Sequence, residues 1–89
     1  MTQEEWMKKL EEEGFSDLKV ISIPANNNPG EHTHEEEGVH IILQGDVTIT
    51  NKGETRVYAA GDRLDVPEHT THTAVFGSQG CTMIVGIKK

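Results

Sequence analysis

Residues 30–45 read GEHTHEEEGVHIILQG, and the architecture of the chain turns on this stretch. Side chains of an extended strand alternate between its two faces, so in a strand over residues 31–34 the imidazoles of His32 and His34 share one face and can reach a single metal ion. Taken alone, the His-x-His pair fits two surface histidines beside a loop just as well, because a metal site needs ligands from elsewhere in the chain. The run from Val39 to Leu43 that follows is apolar apart from His40 and rich in β-branched residues, which marks a second strand.

The same texture continues on both sides. From Leu18 onward, short runs of Val, Ile and Thr alternate with Gly, Pro and Asn, and strands are expected over residues 18–23, 31–34, 39–43, 47–50, 55–59, 63–66, 72–76 and 82–87. Such even spacing predicts an all-β sandwich or barrel. Gln44-Gly45-Asp46 and Asn51-Lys52-Gly53-Glu54 are short enough for hairpin loops, with glycine available for positive φ, so the strands they join should be antiparallel neighbours. Asn26-Asn27-Asn28-Pro29-Gly30 is turn-rich, yet it is too short for a linker between domains.

Before the strands, Thr2 and Glu5 form a capping box, Trp6, Met7 and Leu10 fall on one helical face, and Gly14 sits where a helix-ending glycine belongs. A helix over residues 2–13 follows, with a narrow apolar stripe that must pack on something, either the barrel or a dimer interface. Cys81, the only cysteine, lies among Thr82, Met83, Ile84 and Val85 and reads as a buried strand residue.

Eighty-nine residues suit one domain over residues 1–89, with the barrel spanning 18–87. With four aromatic residues (Trp6, Phe15, Tyr58 and Phe76) the core must rest on Val, Ile and Leu, and a homodimer is the expected way to extend it. The net charge of −7 argues against nucleic acid and anionic membranes as partners. No apolar run approaches the length of a membrane span, and the start MTQEEWMKK does not resemble a signal peptide, so a cytoplasmic location is expected.

A third histidine closes the argument. The segment GDRLDVPEHTTH, residues 61–72, ends on His72 and is organised by Gly61 and Pro67. Together with His32, His34 and Gly45, preceded by Ile41, Ile42 and Leu43, these positions resemble the two motifs of the cupin family. The resemblance implies a small jelly-roll-like antiparallel β-barrel, with His32, His34 and His72 as ligands of one divalent metal ion. Nitrogen ligands are compatible with zinc, nickel, iron, manganese or copper.

Three departures from the family pattern stand out. Gly38 occupies the position where the family usually carries a glutamate ligand. His40 faces the same way two residues on and is the expected fourth ligand, with Glu37 as the alternative and Glu36 close by. His69 replaces a glycine of the second motif as a turn residue able to take positive φ, and Phe76 replaces its asparagine as a core residue.

The resemblance implies a metal-dependent enzyme of the dioxygenase, isomerase or decarboxylase type acting on a small organic molecule inside the barrel. The alternative is a module that binds or senses a small ligand or a metal without turnover, and the missing glutamate suits that reading.

Overall fold

The computed structural model describes residues 1–88. Helix α1 (Gln3–Glu12) is followed by six strands: β1 (Ser16–Ile23), β2 (Gly30–His34), β3 (Glu37–Asn51), β4 (Glu54–Ala59), β5 (Arg63–Val66) and β6 (Thr70–Lys88). All the pairings are antiparallel. Where eight strands were expected there are six, because β3 and β6 each run continuously through two of the expected segments.

The two long strands organise everything else. Residues 37–45 of β3 pair with residues 81–88 of β6, and this region is flanked by β1 on β6 and by β5 on β3. Residues 47–50 of β3 pair with residues 73–76 of β6, flanked by β2 on β6 and β4 on β3. The result is two four-stranded halves that share β3 and β6 and face each other across an interior cavity. The arrangement is an open jelly-roll-like barrel, joined by continuous strands rather than by hydrogen bonds all the way round.

Gln44-Gly45-Asp46 is therefore not the hairpin loop expected. It is an irregular bend at which the β3–β6 register shifts on both sides of Gln44-Gly45. Gly45 has φ +78°, and a Cβ there would land on the Gly80 carbonyl oxygen. Across the bend, a Cβ on Gly77 would collide with the Asp46 carboxylate. Two strands can cross this closely only because backbone meets backbone without side chains between them. The loop before β2 is fastened to the same place, where Asn26 N–H donates to the Gly77 carbonyl and Phe76 N–H donates to the Asn27 carbonyl, each at 3.0 Å.

The other turn is the hairpin expected: Lys52 and Gly53 both take positive φ (52° and 81°) between β3 and β4, as a two-residue primed turn requires.

Helix α1 begins with the reciprocal Thr2–Glu5 capping box, with bonds of 2.8 and 3.1 Å. It ends in a Schellman arrangement, in which Gly14 N–H reaches the Glu11 carbonyl and Phe15 N–H the Leu10 carbonyl, with Gly14 at φ +99°. Its apolar stripe lies on the outer face of one half: Leu10 and Phe15 pack with Val39, Ile41 and Ile84, and Trp6, Met7, Leu18 and Leu43 border the cluster. Alternation sends the intervening residues inward, where Ile42 and Met83 join Val47, Ile49, Leu64, Val66, Ala74, Phe76 and Cys81 in the second cluster. Phe76 and Cys81 are buried, as expected of core residues.

A bidentate ion pair closes the helix onto the sheet: Arg63 on β5 donates to both carboxylate oxygens of Glu13 (2.9 and 2.6 Å) and also to Asp65. The guanidinium beside it holds the Glu13 carboxyl down at about 2. Among the described residues no helix is long and apolar enough to cross a membrane.

Candidate metal centre

The first two histidines of the site come from β2 and the third from β6. In the antiparallel register His32 lies directly opposite His72, and His34 is the diagonal neighbour one pleat further along. Strand alternation turns all three inward, while Thr33 and Thr71 between them face outward and bond to each other at 2.9 Å. Two strands of one pairing therefore supply three imidazoles with no irregular backbone.

The rings converge on one point. His72 Nε2 lies 3.2 Å from His34 Nε2 and 3.1 Å from His32 Nε2, and the ligand atoms of all three residues fall within 4.8 Å of one another. His32 Nδ1 donates to the Gly30 carbonyl at 3.3 Å, which leaves its Nε2 as the lone-pair nitrogen.

Two-centre hydrogen bonds do not account for this knot. An imidazole nitrogen has one in-plane position, a proton or a lone pair, yet two ring nitrogens approach His72 Nε2. A shared cation does account for it: metal–nitrogen bonds of about 2.0–2.1 Å, meeting between a right angle and a tetrahedral angle, set the nitrogens about 2.9–3.4 Å apart. The donor set thus fits a divalent ion that His32, His34 and His72 can hold.

Electrostatics point the same way. Burial, then the neighbouring His34 and His32, push His72 down to about 4, and burial together with His32 lowers His34. Both rings are kept neutral, the form that a metal requires.

His40 stands apart from the trio. It reaches inward from β3, with its ring centroid 6.1 Å from that of His34, and its Nδ1 donates to Met83 Sδ at 3.4 Å, leaving Nε2 unprotonated. Burial first, and then the other histidines, push it down to about 4. Among the described residues no carboxylate joins the nitrogen cluster. Glu37 is exposed and pairs with Lys88 Nζ at 3.7 Å, and Glu36 lines an outer groove. Gly38 sits in a pinched position, where a Cβ would press on the Gly86 carbonyl oxygen at 3.3 Å. The fifth histidine, His69, is exposed at φ +58° in the turn before β6, as its place in the motif suggested.

Three spaces border the histidines, one of them a polar pocket of about 450 Å³ that holds Arg56 and Asp65 and meets the inner cavity at Ile49, Leu64 and His72. The inner cavity, about 310 Å³, is walled by Ile23, Val47, Ile49, Leu64, Phe76 and Met83, with His32, His40 and His72 on its rim. A larger outer groove, about 730 Å³, is lined by His34 and His40 together with Asp17, Lys19 and Glu36. This division is not read from the sequence, where Phe76 is expected only as core and Leu64 and Met83 only as strand residues. Their shared inward alternation with His40 and His72 was the one available signal.

Comparison with known proteins agrees with this geometry. Solved structures of the same fold include a cupin superfamily protein from Desulfitobacterium hafniense, 24% identical, covering 83% of this chain and 71% of that one with a TM-score of 0.69. A protein from Neisseria meningitidis is 21% identical, over 85% and 75% of the two chains, with a TM-score of 0.69. A predicted oxalate decarboxylase from Thermotoga maritima is 20% identical, over 91% and 72%, with a TM-score of 0.67. At these identities the likeness is one of fold. No curated protein matches the chain. The family model of the cupin domain, however, matches residues 19–85, from β1 to the last turn of the interior on β6, and the chain belongs to the cupin family.

Proposed function

We propose that this chain is a metal-dependent cupin that holds one divalent first-row metal on His32, His34 and His72 and acts on a small organic molecule in the inner cavity. The observation that carries the reading is the convergence of three ring nitrogens at His72 Nε2, which neutral imidazoles could otherwise satisfy only by one shared three-centre hydrogen bond.

When bound, the metal supplies a Lewis acid that attracts an electron-rich oxygen and lowers the pKa of water. The protein supplies the rest. Neutral imidazoles leave the metal's charge uncompensated, so it is felt in full by a ligand. The apolar wall keeps bulk water from that ligand and strengthens electrostatic interactions inside. His40, with Nδ1 committed to Met83, presents Nε2 as a lone pair, either as the fourth ligand or as an acceptor for a ligand's proton. The reaction type that fits is dioxygenase, isomerase or decarboxylase chemistry at an oxygen-bearing carbon.

One observation favours a second reading, binding without turnover. Outside the metal trio the inner cavity has a single titratable side chain, His40, and burial pushes it down to about 4, so no acid is poised there at neutral pH.

Elemental analysis after dialysis tests the metal site. Near-stoichiometric metal in the wild type and none in His32→Ala/His72→Ala is the expected result, and a wild type that takes up no divalent ion on reconstitution would sink it. Metal-dependent turnover of a substrate panel, abolished by His72→Ala, then separates enzyme from binder.

A further inference from the structure

The centre is two-sided. His32 and His72 border a cavity whose remaining wall is almost wholly hydrocarbon, whereas His34 borders a groove with Asp17, Lys19 and Glu36. Apart from histidines, Asn27 is the one polar side chain of the inner cavity, and no Lys, Arg, Asp or Glu lines it.

From this division we infer that the inner cavity selects a ligand with an apolar body about the size of one ring and a single oxygen-bearing head, and discriminates against compact dianions. The inference rests on the metal site proposed above. A volume of about 310 Å³ is ample for a six-membered ring with a short head group, and lies at the small end of ligand cavities generally.

The chemistry sorts ligands by what happens at the end remote from the metal. An apolar body entering this space exchanges water for Val47, Ile49, Leu64 and Phe76, a gain proportional to the area buried. A compact dianion can chelate one cationic centre, but its outward oxygens then give up their hydration against hydrocarbon, with no second cation among the described residues that line the inner cavity. Water and protons can still reach the head group from the polar groove, because His40 lines both spaces. Ala74 is the smallest side chain of the inner wall and follows His72 on the same face of β6, so its size sets how much body fits beside the head.

The test uses the full chain loaded with cobalt(II), whose visible spectrum reports both metal binding and changes at the metal. Benzohydroxamate, acetohydroxamate and oxalate are titrated in turn; the two hydroxamates share a head and differ in the apolar body. Benzohydroxamate should bind about tenfold or more tighter than acetohydroxamate, and also tighter than oxalate. Ala74→Leu should shrink the benzohydroxamate advantage over acetohydroxamate severalfold, with the cobalt spectrum showing that the metal is still bound. Equal affinity of the hydroxamates, or oxalate as the tightest ligand, overturns this inference while the metal site stands. A protein that gives no cobalt spectrum overturns both.

Discussion

The two halves of the barrel are built from the same two long strands and are treated very differently by the rest of the chain. In the half formed by β1, β5 and the β3–β6 pairing of residues 37–45 with 81–88, the central strands are covered on both faces, with α1 outside and the cavity inside; Val39, Ile41 and Ile84 are fully inaccessible there, whereas β1 stays largely exposed. The half formed by β2, β4 and the pairing of residues 47–50 with 73–76 has an uncovered outer face of Thr33, Thr48, Thr50, Thr55, Thr71 and Thr73, with Val57 and Val75 exposed among them. It is this thinly covered half that carries His32, His34 and His72. Both halves supply residues to the inner core, but only the first is also packed by a helix on its outer face, and the three clustered imidazoles belong to the second.

The sharpest way to break that contrast is in the helix-backed half. Ile41→Ala should cost about 3 kcal/mol in urea unfolding, since the side chain is fully enclosed between helix and sheet. A loss under about 1 kcal/mol would mean that α1 is not the cover described.

The histidines offer the next largest effect. In the metal-free protein His40 and His72 titrate near 4 when folded and near the ordinary 6.5 when unfolded. The unfolded chain therefore takes up protons first, and stability, complete above 6.5, falls as pH drops through 6.5 towards 4, by about 2 kcal/mol in all once solvent screening of the partly exposed rings is allowed for. Thermal melts of the metal-free chain across that window should show the decline, and His40→Gln should flatten part of it.

Arg63→Ala should remove about 1 kcal/mol, the scale of a partly exposed bidentate pair, and should release Glu13 upward from about 2, measurable by NMR titration of its carboxyl carbon. At the small end, Val57→Thr on the open face should change stability by less than about 0.5 kcal/mol. A larger loss there would indicate that this face is covered in solution.

Most of this division can be read in the residues, and the exceptions have physical causes. The capping box at Thr2, the Gly14 stop, the Lys52-Gly53 turn and the positive φ of His69 are local matters, settled by a few neighbouring side chains. The clustering of His32, His34 and His72 was legible because strand alternation and the cupin-like spacing both pick them out. The continuity of β3 and β6 was not, because Gly45 and the Gly77–Gly80 stretch are punctuated like turns; their glycines serve a backbone crossing formed by residues far apart in sequence, which local patterns do not encode. The position of His40 relative to the trio depends in the same way on the depth at which two halves meet.

The register also has a consequence in time. Residues 16–23 have no sheet partner until residues 81–87 exist, and His32 has none until His72 exists. A chain emerging from the ribosome can form α1 and the β3–β4 hairpin early, but it must hold β2 unpaired until β6 begins and β1 until nearly all of β6 has been made. Assembly should therefore be late, slow and concerted, as expected where contacts are distant in sequence. Nascent chains halted before residue 70 should be protease-sensitive along β1 and β2, with no pre-formed cluster of histidines for an ion to find.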